Sequence, residues 1–198
     1  MSLALSACAI GHEYDYQKVQ TNFDSKTDKS ITAGVVDQRP YVLNDEKAPT
    51  FVGLQRAGFG IPYNVTTKSG EPLAKELTNA VVQALERQSA EVTALVLPPG
   101  ASRESALERF RQHQTERLLL IAMKQWKTDS MMRVTLHWDL AASVYDKTGS
   151  VLARHSVSGV EPVGSAGFET GNSNTATQQI AQKLGDLLNH PDIVAALN

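Results

Sequence analysis

Five histidines, His12, His113, His137, His155 and His190, are the side chains best suited to proton transfer or metal ligation, and they are spread along the chain. His137 and His155 fall on consecutive predicted strands, on either side of a hairpin centred near residue 148. An offset of four residues at ~3.3 Å each separates them by ~13 Å, too far for one metal ion. His137 and Asp139 share a strand face and read as a polar edge. Gly164-Ser165-Ala166-Gly167 misses the spacing of a nucleophile elbow by one residue. Gly53, Gly58 and Gly60 lack a following Lys-Ser/Thr, so they form no phosphate loop. Asp24 and Asp28 lack the glycine and closing glutamate of a calcium loop. Asn64-Val65-Thr66 matches a glycosylation sequon, which a bacterial chain would usually leave bare. The one cysteine, Cys8, can close no internal disulfide, and no Cys/His pairing offers zinc a ligand set. The expectation is a non-enzymatic protein with no catalytic residue, no cofactor and no metal site.

The position of Cys8 gives it a different chemistry. Leu3-Ala4-Leu5-Ser6-Ala7 puts small residues before a candidate cut site, as the narrow pocket of a signal peptidase requires. Leu5-Ser6-Ala7-Cys8 resembles the bacterial lipobox. That resemblance implies cleavage before Cys8, a diacylglycerol on its sulfur and an acyl chain on its new amine. Several chains anchor stably where one is marginal. Residues 1–8 are therefore expected to be a signal-peptide remnant with its lipobox. Ala9, rather than Asp, after the cysteine resembles lipoproteins sent on to the outer membrane. Residues 9–30 read as a flexible polar tether, carrying His12, Glu13, Asp15, Gln17, Lys18 and then Asp24-Ser25-Lys26-Thr27-Asp28-Lys29-Ser30.

Residues 31–198 are long enough for one domain with a sizeable core. A hydrophobic content of 41% and a charged content of 20% suit a globular chain. The formal net charge is -2 and the cations are scattered, which argues against nucleic acid as a partner. No apolar run approaches the ~20 residues of a spanning helix. Ile31 to Asp37 predicts a first strand. A helix follows from about Pro72, with Leu73, Leu77, Val81 and Leu85 recurring on one face. Glu91 to Leu97 predicts a strand, and Ser102 caps a helix burying Ala106, Leu107 and Phe110. Leu118 to Met123 is apolar throughout, as in a strand covered on both faces. Lys127 to Ser130 reads as a turn. Val134, Leu136, Trp138, Leu140, Ala142 and Val144 then alternate with polar residues, the period of a half-buried strand. Asp146-Lys147-Thr148-Gly149 turns the chain into a strand from Val151 to Val160, and Asn174 to Leu188 closes it as a helix. The order βαβαβββα predicts an α/β (α+β) fold, a single mixed sheet of about five strands with helices packed against it.

The element order, the lipobox, Tyr145-Asp146-Lys147-Thr148-Gly149-Ser150-Val151-Leu152 and the tail from Asn174 through Leu188-Asn189-His190-Pro191-Asp192-Ile193 resemble the YajG-type bacterial lipoproteins. The resemblance implies a bacterial envelope location and offers no catalytic residues to carry over. With the lipobox and Ala9, the expected address is the periplasmic face of the outer membrane, lipid-anchored. What remains is a thirty-residue loop from Tyr41 to Gly70, well beyond the ~12–15 residues usual for a structureless connector. It holds Phe51, Phe59 and Tyr63 with the cation Arg56. Either these fold back on the domain or they form a partner-binding surface, since aromatic residues and arginine are common anchors. The first function expected is docking on an envelope protein or on a second copy of the chain, through this loop and an exposed sheet edge. The alternative is a ligand-binding or transport-accessory lipoprotein.

Overall fold

The computed structural model describes residues 12–56, 60–165 and 169–198. Its strands are β1 (His12–Tyr14), β2 (Thr27–Asp37), β3 (Phe51–Arg56), β4 (Pro62–Thr67), β5 (Ser89–Ala94), β6 (Arg117–Ser130), β7 (Arg133–Asp146) and β8 (Val151–Ser165). Its α-helices are α1 (Pro40–Leu43), α2 (Leu73–Glu86), α3 (Arg103–His113), α4 (Glu169–Leu188) and α5 (Pro191–Leu197), and a 3-10 turn covers Tyr16–Lys18. The α/β class and the mixed sheet are as expected, but among the described residues the sheet has eight strands rather than about five.

The sheet forks on β6. β7 pairs antiparallel along one edge of it and β8 pairs with β7. Two strands share the other edge. β2 runs parallel to Arg117–Met123, with β5 beyond it, and β3 runs parallel to Thr128–Ser130, with β4 and then β1 beyond it. We call these two groups the β2–β5 leaf and the β3–β4–β1 leaf.

Local chemistry accounts for most of these elements. In α2 the stripe Leu73, Leu77, Val81 and Leu85 is fully buried against the sheet. The Ser102 hydroxyl accepts from the Ser105 amide at 3.1 Å and caps α3, which buries Ala106, Leu107 and Phe110. The β6 run is covered twice: Leu119, Ile121 and Met123 join the core under α2, α4 and α5, while Leu118 and Leu120 pack with α3. β7 alternates as its period predicted, with Leu136, Trp138 and Leu140 inward and Thr135 on the other face.

Three expectations are corrected. Residues 12–30 are no tether: Tyr14, Tyr16, Val19 and Phe23 are buried in the main core, and the Trp126 indole donates to the Tyr16 hydroxyl at 2.8 Å. Burial pushes the Tyr16 phenol well above its usual pKa. The stretch looked polar because its few large apolar groups are irregularly spaced, yet each of these four finds the core. Residues 41–70 are no structureless loop: they supply α1, β3 and β4. Lys127 to Ser130 is no turn: β6 continues through it, and the chain reverses at Met131-Met132. α4 also begins before Asn174, and α5 follows it.

Candidate interaction surface

The fork determines what the former loop can present. Between Met123 and Thr128 neither leaf pairs with β6, so backbone carbonyls there need other donors. Arg39, fully buried just past β2, fills this gap and reaches the Trp126 carbonyl at 3.5 Å. Its guanidinium donates to the carbonyls of Phe51 and Pro49, and it clasps Asp37 through Nε to Oδ1 at 2.8 Å and a second bond to Oδ2 at 2.6 Å. The Tyr41 hydroxyl donates to the Trp126 carbonyl at 2.9 Å. Burial works against the Arg39 charge, but the hydrogen bonds and field of Asp37 more than offset it and hold its pKa above the ordinary arginine value. At the leaf's base Gly53 lies so close to β6 that a Cβ would meet Thr128 Oγ1 at 2.2 Å. Only glycine permits this approach.

The residues proposed for the surface are not brought together. Phe51 is buried at the start of β3, its ring edge-on to Tyr41 with centroids 5.5 Å apart, so it belongs to the packing of the leaf. Arg56, at the far end of β3, is already engaged: Nε and the terminal nitrogen reach the two Asp129 oxygens at 2.8 and 2.7 Å. That bidentate pair draws the Asp129 carboxyl below its usual range. Tyr63 is on β4 and exposed. Phe59 and Cys8 lie outside the described residues.

Other side chains form the exposed surface at this end. Ile61, beside the β3–β4 connection, is 53% exposed, and Met131 and Met132, in the β6–β7 turn, are 55% and 82% exposed. The register puts both connections at one end of the molecule, because Arg56 lies opposite Pro62 and Gln55 beside Ser130. A shallow hollow lined by Asp129, Met131, Met132, Thr135 and His137 opens next to them. His137 is held below the ordinary histidine pKa by partial burial and by Lys127, with Asp129 opposing. Two adjacent methionines after a long apolar-polar strand were the available sequence signal, obscured by reading the turn four residues early.

The remaining chemistry is thin. His155 pairs with Ala142, five positions along β7 from His137, so the two histidines are ~17 Å apart along the strand. His155 stacks instead on His190, ring centroids 3.5 Å apart, and burial and the neighbouring ring lower its pKa. Among the described residues no three His, Cys, Asp or Glu side chains gather as a metal site. No described helix is long and apolar enough to cross a membrane. A cleft of about 300 Å³ opens past the carboxyl ends of β2 and β5, its mostly apolar wall of Pro72, Ala74, Val96, Leu97 and Pro98 joined by Asp37, Glu71, Lys75 and Arg109. Along the opposite side of the sheet, β8 pairs only with β7 among the described residues, leaving a 15-residue edge with Leu152 and Val160 exposed.

No protein-family model matches the chain, and no curated protein matches it in sequence. Solved structures are similar. Protein XCC0632 from Xanthomonas campestris, of the family DUF330, is 13% identical with a TM-score of 0.59 over 89% of this chain and 93% of that one. The PelC dodecamer from Paraburkholderia phytofirmans is 16% identical with a TM-score of 0.44, covering 86% of this chain and 94% of that one. The lipoprotein GNA1162 from Neisseria meningitidis is 17% identical with a TM-score of 0.32, covering 78% and 99%. The likeness to the Xanthomonas protein spans nearly the whole of both chains, and it identifies the fold of this one without assigning it a chemistry.

Proposed function

We propose that this protein is a non-enzymatic lipoprotein of the bacterial cell envelope, anchored through a lipid on Cys8, that docks another envelope protein along the edge of β8. The β8 edge carries the docking part of the reading. Fifteen residues of strand with one side unpaired are a template for strand addition, and long edges are usually blunted or covered. Leu5-Ser6-Ala7-Cys8 supports the anchor, and its likeness to lipoboxes followed by Ala9 favours the periplasmic face of the outer membrane.

Two measurements separate the parts. Expressed behind a complete lipoprotein leader, the chain should take up labelled palmitate and fractionate with membranes, and Cys8→Ser should do neither. Equal membrane recovery of the variant, with no label on the parent, removes the anchor. Leu152→Lys with Val160→Lys places charge beside the edge at exposed positions, where substitutions usually cost within ~0.5 kcal/mol. The double variant should melt like the parent yet lose a partner recovered from solubilised envelopes, or lose self-association in sedimentation. Unchanged association in both assays rules out the edge.

The cleft past β2 and β5 favours a second reading, a ligand-binding or transport-accessory lipoprotein. Its volume is at the lower end of the ~300–1,000 Å³ typical of small-molecule sites, and its walls are mostly apolar.

A further inference from the structure

The strand register bears on how an anchored chain would sit. β1 runs parallel to β4, with His12 opposite Val65 and Tyr14 opposite Thr67. β4 itself starts at Pro62, beside the Ile61 tip. The chain therefore enters β1 from the side of the tips and runs away from them. Three strand positions, ~10 Å, separate the level of His12 from that of Pro62. The four peptide steps from Cys8 to His12 can span up to ~14 Å. That span is long enough for a lipid on Cys8 to reach the level of Ile61, Met131 and Met132.

Those three side chains are large, apolar and mostly exposed, on two neighbouring hairpin connections. Arg133, also exposed, follows the methionines. Tyr63 stands one position behind the Pro62 end of β4. Apolar groups at the extremity with a cation and an aromatic ring just behind them match the layering of a lipid interface, acyl chains first and headgroups next.

We propose that the Ile61 and Met131-Met132 tips are a membrane-docking surface, inserting into the lipid leaflet beside the anchor and fixing the strands of the domain upright on the membrane. This rests on the lipoprotein reading for its setting, since the lipid supplies the attachment and the tips supply the orientation. The opposite end of the domain, the Asp146–Gly149 turn, then stands about 45 Å away along the 14 residues of β7.

The test labels single cysteines in the Cys8→Ser chain, tethered by an N-terminal histidine tag to vesicles of phosphatidylethanolamine and phosphatidylglycerol bearing a nickel-chelating lipid. Met132→Cys carries the fluorophore at the tip and Lys147→Cys carries it at the far turn. Doxyl-labelled lipid should quench the tip label several-fold more strongly than the far label. Adding Ile61→Ser and Met131→Ser should bring tip quenching down to the far value. Equal quenching of the two labels overturns the proposal. So does a tip signal that changes with protein concentration in the absence of vesicles, which would assign the tips to contacts between copies. Because the tag replaces the lipid, this result is independent of palmitate labelling at Cys8, and the two readings fail separately.

Discussion

Arg39→Leu should lower the melting temperature by roughly 6–20 °C, one of the two largest losses expected from a single side chain here. The range follows from the ~3–5 kcal/mol typical of breaking a buried ion pair and from ~2–4 °C per kcal/mol in a chain of this size. The substitution strands the buried Asp37 carboxylate and removes the donor to the carbonyls of Pro49 and Phe51. Lysine carries the charge but not the forked geometry, so Arg39→Lys should recover only part of the loss. Replacing both partners by leucine should be milder than Arg39→Leu alone, because no charge is left buried, yet still short of the parent, because the carbonyls remain. Thermal melting of the four proteins checks this. A single variant within about 1 kcal/mol of the parent would show that water reaches the fork and that Arg39 is not what seals it.

The second large effect belongs to Trp138. Its indole lies across Gly159 of β8, where a Cβ would come within 2.5 Å of two ring carbons, and the Lys183 ammonium sits 4.2 Å from a ring centroid on the α4 side. Trp138→Ala should cost ~3–5 kcal/mol, while Thr135→Ala on the opposite face should stay within ~0.5 kcal/mol. Trp138→Phe should fall nearer the parent, since the buried indole N–H has no hydrogen-bond acceptor among the described residues and its loss costs little. Chemical denaturation of the three variants measures the order. Matching losses for Trp138→Ala and Thr135→Ala would mean that β7 is out of register by one residue.

Periodicity made some parts of the chain legible. The every-fourth-residue stripe of α2, the strict alternation of β7 and the unbroken apolar run of β6 each state which faces are covered, and the structure covers those faces. The β3–β4–β1 leaf has no such signal. β1 is three residues long, β3 carries a register shift between Phe51 and Gly53, and β4 buries only Val65 and Thr67. Strands this short and irregular are specified by what they pack against, which sequence pattern does not reveal. The same holds for the site. Arg39 stands out in no pattern, because its partners Phe51 and Trp126 lie twelve and 87 residues away. Phe51 was singled out for its aromatic ring and proved to be packing, whereas the exposed methionines drew no attention because they lack polar chemistry.

The inequality of the sheet's edges has a consequence for symmetry. β1 offers three residues and β5 six, so the 15-residue β8 is the long edge among the described strands. Two identical edges close a two-fold dimer by running antiparallel, each residue of one strand exchanging roles with its counterpart on the other. Such a dimer would send the two sets of hairpin tips in opposite directions, suiting a bridge between two facing membranes rather than a pair standing on one. Copies that share a leaflet, tips down, keep their β8 edges parallel and unclosed. On a single membrane, therefore, two copies cannot close a two-fold pair through their β8 edges.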